Sequence, residues 1–453
     1  MSSLAGMGHL SLDQAPPLAI PAIFFVTAPV AVMAAGLLLL WSGTFALQLY
    51  WLPSVVGLTH LGTLGFLTMT MMGALYQMAP VVAGAPVPFI RLAHLVYLLF
   101  CLGIACLSLS LMGLWPGLIF QSFTLISAAI LLFLATTGVA IVKSKTQGET
   151  VAGMRLALFS LLMLVLLGLT MAGGFVDNSF LGFRQFWLQI HISTALMGWV
   201  GGLITAVSWQ IIPMFYLTPQ FTAVGKKVVL GLTTAGIILP LAVLMASAVA
   251  PPNTGGWSPT MLAILGALPA ALGVWLVHPY LILRNLNRRR RKRLDPSLRF
   301  WQLGLTLAPL TGALAVITCF TEDPRATLLF GWVAIWGWAG IIVHGMLSRI
   351  VPFLIWFHRF APHIGRMPVP AMRNLLPDAW VKFGLGLHVS SLVLGAVAIA
   401  MRDPGVSRVT GFLVFSTGLS LLHWIVHLLR QKPDLEVVDE GFSTDEQGLG
   451  RSG

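Results

Sequence analysis

Tyr76-Gln77-Met78-Ala79-Pro80 ends one long apolar run, and its pattern returns in Trp209-Gln210-Ile211-Ile212-Pro213 and in Ser348-Arg349-Ile350-Val351-Pro352. Each time a Gln or Arg stands three residues before a proline near the end of the run. The three prolines are separated by two nearly equal intervals, and each interval holds four apolar runs. A fixed internal period of this length is the signature of a repeated structural unit. It predicts three four-helix units over 18–142, 152–283 and 299–430.

The runs themselves fall at 18–43, 53–81, 91–113, 115–142, 152–176, 185–216, 228–250, 259–283, 299–319, 326–357, 380–401 and 408–430. Each reaches the roughly 20 residues that a helix needs to cross a bilayer. Only 9% of the 453 residues are charged and 57% are hydrophobic. A soluble surface needs about a quarter of its residues charged. The fold class is therefore all-α, a polytopic membrane protein of about twelve transmembrane helices, with the three units arranged around a pseudo-threefold axis. The lipid bilayer is the first partner, and the net charge of +12 is not read as a nucleic-acid surface. All basic residues except Arg184, Arg325, Arg402 and Arg408 fall on the side of the loops that follow even-numbered helices. The positive-inside rule makes that side the cytoplasm, and it places both termini there. Residues 1–17 read as a cytoplasmic leader, and the polar, acidic 431–453 as a disordered tail.

Ionisable groups at membrane depth are expensive and point to function. No carboxylate and no lysine falls in the middle of a run, and Arg349 lies near a cytoplasmic end. Histidine is the exception: His60, His191, His344, His388, His423 and His427 all lie within the runs. Neutral imidazole binds metal ions and haem iron, so six together point toward a cofactor. Any one alone reads first as a hydrogen-bonded packing residue. His60 and His191 each come seven residues after an outer boundary, Pro53 or Arg184, which is roughly 10 Å below the outer surface. The same register in the third unit reads Phe330 or Trp332. Gly62 and Gly65, Ala195 and Gly198, and Gly337 and Gly340 follow these positions. They allow either close helix approach or room for a flat macrocycle. His423 and His427, spaced i,i+4, share one helix face. With His344 and His388 they form a second set that reads as a further haem or metal site, or as polar glue between the last three helices. Cys101, Cys106 and Cys319 read as packing residues within spans.

Twelve helices in three arcs of four, with histidines near the outer ends of helices two and six, resemble subunit I of the haem-copper oxidase superfamily. The motif part of the resemblance rests on Thr59-His60-Leu61-Gly62-Thr63-Leu64-Gly65-Phe66, on Gly73 through Pro80, and on His191. It implies haem at His60, with His191 at a position that carries copper in the family. The chain departs from the family in helix seven, where 228–250 holds no histidine, and in helix ten, where His344 stands alone. The usual dinuclear centre is therefore not expected. The NnrS family, twelve-helix haem and copper proteins linked to nitric oxide tolerance, is similar in length and topology. These resemblances imply a bacterial inner-membrane haem protein, with copper as a second cofactor. They imply electron transfer or nitric oxide handling, an oxidoreductase role left open, and respiratory or denitrification subunits as partners. The cofactor set expected is His60, His191 and His344 for haem, and His388, His423 and His427 for metal. A solute carrier and a non-catalytic assembly factor are the competing classes.

Overall fold

A computed structural model describes residues 14–144, 146, 148–177, 184–249, 257–290 and 295–433. Twelve helices are long and apolar enough to cross a membrane. The first six are α1 (Ala19–Leu47), α2 (Pro53–Ala83), α3 (Leu92–Leu111), α4 (Pro116–Lys143), α5 (Glu149–Gly174) and α6 (Arg184–Tyr216). The rest are α7 (Ala223–Ser247), α8 (Pro259–Asn287), α9 (Pro296–Ile317), α10 (Pro324–His363), α11 (Asp378–Met401) and α12 (Pro404–Arg430). No strand occurs among the described residues. The leader before residue 14, the tail beyond residue 433 and Arg291 to Arg293 of the basic run lie outside the described residues. Cys319 is corrected: α9 stops at Ile317, and the thiol is exposed in the following turn.

Local chemistry sets several helix starts. Proline occupies the first helical position of α2, α4, α8, α9, α10 and α12, where its missing N–H costs nothing. Ser258, Asp295, Asp323 and Asp403 precede four of these and accept a backbone N–H as N-caps. The hydrogen bond from the Arg325 guanidinium holds the Asp323 carboxyl below the usual carboxylate range. Basic residues close several ends. Arg155 donates to the carbonyls of Ile141 and Ser144 at the end of α4, and Arg359 to those of Leu429 and Gln431 at the end of α12. Ser144 and Thr146 both donate to Ala83 O at the end of α2. Part of the basic bias thus satisfies carbonyls that hydrocarbon could not hydrate.

Packing repeats every four helices. Within units α1 packs on α2, α5 on α6 and α9 on α10, while α3 packs on α4, α7 on α8 and α11 on α12. Between units α4 meets α5, α8 meets α9, and α12 returns to α1, closing the ring. That closing contact is backbone to backbone: Gly36 lies against Gly411 O, and Gly418 against Pro29 O. In their most apolar windows α2, α6 and α10 bury 61%, 78% and 61% of residues, against 28–39% for every other helix but α1. These three are the interior, and the outer helices show apolar faces such as Leu37, Leu98, Leu239 and Phe412 to lipid.

The three interior helices share an internal plan. Each begins as α-helix, widens into a π-helix at Leu61–Thr68, Thr194–Val200 and Val333–Gly340, and resumes as α-helix over Met69–Ala83, Gly201–Tyr216 and Ile341–Ile355. Each resumed segment ends three residues after its proline. Fifteen residues before the prolines stand Gly65, Gly198 and Gly337, facing Ala31 of α1, Ser160 of α5 and Leu307 of α9. Seven before stand Gly73, Ala206 and Gly345, which face Phe24, Gly153 and Phe300 of the same outer helices. In the second unit the glycine has moved to the partner helix. Close approach, and not an open space, explains these small residues.

Candidate cofactor site

His60 is the last residue of the first α segment of α2, one position before its π-helix. Its Nδ1 donates to Val56 O at 2.8 Å, one turn back. A neutral ring then carries its lone pair on Nε2, which has no hydrogen-bond partner among the described residues. His191 sits on α6 three residues before the π-helix there. Its Nδ1 is buried without a partner. The His191 ring lies within electrostatic range of His60, with no hydrogen bond or ring contact between the two among the described residues. Both residues are half-buried. Gly168 of α5 passes under the second ring: a Cβ there would stand 3.7 Å from His191 Cε1.

Below the pair the three interior helices join. The Trp199 indole of α6 donates to Thr68 Oγ1 of α2 at 2.9 Å, and the ring of Phe66 lies 6.2 Å from that of Trp336 on α10. Gly62 faces the side chain of Ile335. In the third unit Trp332 takes the register of His60, but its indole turns outward. It donates to Leu392 O of α11 at 2.9 Å and occupies the notch left by Gly395. The interior site therefore receives imidazole from two units only.

His344 does not join them. Its Nδ1 is 3.0 Å from Nδ1 of His388 on α11, and both residues are almost fully buried, at 2% and 0% exposure. His388 Nε2 donates to Trp336 O at 2.9 Å, so both its nitrogens are engaged within the bundle. His423 and His427 are elsewhere: both are exposed and flank the Trp380 ring, with centroids 5.1 and 5.0 Å away. The expected metal group of His388, His423 and His427 is thus not assembled. The i,i+4 face of α12 carrying the latter two turns outward, while His388 faces the core. Among the described residues no cluster of three or more His, Cys, Asp or Glu could hold a metal ion.

One further buried histidine stands outside the sets read from the sequence. His278 of α8 is 1% exposed, bonded through Nε2 to Ser208 Oγ of α6 at 2.9 Å. Ser208 Oγ donates to Thr205 O, so His278 Nε2 is the donor to it and Nδ1 is left unpartnered and buried. His278 falls within the run 259–283 and within α8 (Pro259–Asn287), and this place in a span is the signal that could have found it. The Gln/Arg motif also had a partner invisible in the sequence. Arg349 forms an ion pair with Asp295 and donates through Nε to Ser297 Oγ at 2.7 Å, and Tyr216 OH meets the same hydroxyl at 2.9 Å.

No protein-family model and no curated protein matches the chain.

Proposed function

We propose that this membrane protein holds haem or a transition-metal ion between the outer ends of α2 and α6, with His60 as the principal ligand and His191 as the second. The observation that carries the reading is the state of His60: Nδ1–H is fixed on Val56 O and the Nε2 lone pair is unengaged. Ligating histidines are oriented in this way, with the far nitrogen bonded to a carbonyl or carboxylate so that the near one keeps its lone pair. His191, with a buried unpartnered Nδ1, fits the same donor chemistry. Iron or copper bound there would supply one-electron chemistry. The chain would fix ligand orientation and keep the site within an apolar bundle. With the oxidase-like plan this favours electron transfer or nitric oxide handling in a bacterial inner membrane, beside respiratory or denitrification subunits.

An absorption spectrum and metal analysis of the full-length protein, purified from haem-replete cells, test the reading. A Soret band or stoichiometric copper or iron is expected. His60→Ala should lose or shift the spectrum, and His191→Ala should alter it, while the exposed His427→Ala leaves it unchanged. A colourless, metal-free protein, or a His60→Ala protein with unaltered spectrum and content, overturns it.

A further inference from the structure

The buried pair His344 and His388 has its protons fixed by its surroundings. Trp336 O can only accept, so His388 Nε2 carries a hydrogen. In a neutral ring His388 Nδ1 is then a lone pair, and the 3.0 Å contact requires His344 Nδ1–H to donate to it. That leaves His344 Nε2 as the one basic nitrogen of the pair, without a hydrogen-bond partner among the described residues. It faces Gly384 of α11, where a Cβ would stand 3.2 Å away. The carbonyl of Trp336 lies in the π-helix of α10, where the N–H of Ile341 turns to Trp338 O.

Two aromatic rings flank the pair, one stacked and one tilted. Trp336 is stacked on His388 with centroids 3.9 Å apart and planes 15° apart, and Phe300 of α9 lies 4.6 Å from His344. The Trp336 indole is held by Ser391 Oγ at 2.9 Å, and Ser391 Oγ in turn donates to His388 O. No charged side chain contacts the rings among the described residues. Arg349 is engaged by Asp295, Arg299 and Lys382 are exposed, and His423 and His427 pack on Trp380. Aromatic faces stabilise a cation where no carboxylate is available.

We propose that His344 and His388 form a proton-storage pair, in which one excess proton enters at His344 Nε2 and is held as an imidazolium shared across the Nδ1–Nδ1 hydrogen bond. Loading makes His344 doubly protonated. Transfer of the bridging hydrogen then moves the charge to His388 beneath the Trp336 face. The path stops there, because His388 Nε2 is bonded to a carbonyl that has no proton to pass on. The pair stores a proton and returns it through His344 Nε2.

Solid-state NMR of the full-length protein in lipid, with ring-15N histidine, tests this. A correlation between one protonated and one unprotonated Nδ1 is expected at neutral pH, absent in His344→Gln. On acidification both rings should shift together at a single midpoint, with uptake of one proton. His388→Gln keeps an amide donor for Trp336 O and removes the second basic ring, so the proton affinity of His344 should fall about tenfold, the worth of one charge-assisted hydrogen bond. Separate midpoints for the two rings, no uptake before the fold is lost, or an unchanged His344 affinity in His388→Gln overturns the proposal. If His388→Gln does not fold, the wild-type titration decides alone.

Discussion

Ser297 shows how a single hydroxyl can tie three helices. It donates to Asp295 Oδ1 and accepts from Arg349 Nε, so the Tyr216 hydroxyl, 2.9 Å away, must be the donor to it. The group joins α6, α9 and α10 at the end of the bundle where their prolines lie. Asp295 has a double role, since it also caps α9 through Ser297 N. Asp295→Ala removes cap and ion pair together and leaves Arg349 facing apolar neighbours. With Arg349 and Asp295 still 19% and 25% exposed, solvent screening tempers the loss. A destabilisation of about 2 kcal/mol is expected, read as a lower thermal midpoint in detergent. Arg349→Lys, with Asp295 intact, should still lose much of this stability, because the guanidinium bonds Asp295 and Ser297 at once and an ammonium does not reproduce that fork. An Asp295→Ala midpoint equal to that of the wild type would remove the network from the stability account. Of this network only Arg349 was legible, as part of a motif. The meeting of its residues was not, because it joins positions far apart in the chain.

At the scale of the element, the three interior helices are set by spacing. A π-helix adds width and rephases the side chains that follow, and such segments gather at functional sites. Here the three π-helices lie at matched distances from Pro80, Pro213 and Pro352, at the level where Trp199 meets Thr68 and Phe66 meets Trp336. The glycines beside them set how closely the outer helices approach. A Cβ at Gly65 would come within 2.5 Å of Ala31 Cβ, and one at Gly198 would collide with Ser160. Gly65→Leu and Gly198→Leu should each destabilise by roughly 1–3 kcal/mol, the usual range for overpacking. Gly337→Leu should cost less, since its nearest neighbours are flexible leucine ends at 3.3 and 3.5 Å. Gly231→Ala in α7, with nothing within 4 Å, is the neutral control. Thermal midpoints of the four variants, measured in one detergent, give the ranking. Equal midpoints for Gly198→Leu and Gly231→Ala would mean that the contact is not tight. The proline motif and the small residues were visible in the sequence, and the π-helices were not, since no residue type marks them.

For the whole molecule, orientation is the property that can be checked most directly. With Cys319 replaced by Ser, Glu322→Cys lies in an exposed loop on the side that the basic residues avoid, and Arg366→Cys lies on the side they favour. A membrane-impermeant maleimide applied to intact cells should label the first and spare the second until the membrane is opened. Reversed labelling would invert the molecule and move the His60 and His191 pair to the cytoplasmic half. The amino-acid sequence by itself determined the class, the number of the spans, and the period of four helices. These follow from apolar length and from the spacing of prolines and small residues, which are local quantities that hydrocarbon enforces on every segment. It also set His60 and His191 at the same register, each seven residues after Pro53 or Arg184, and the fixed rise per residue of a helix makes equal register an expectation of equal depth. The rotation of each helix about its axis was decided only in three dimensions. That rotation turns Trp332 away from the interior, sends His423 and His427 to the outer face, and closes His344 onto His388. The reason is physical: depth accumulates along one chain, whereas facing depends on which neighbour a glycine or a π-helix admits, and that neighbour can stand hundreds of residues away.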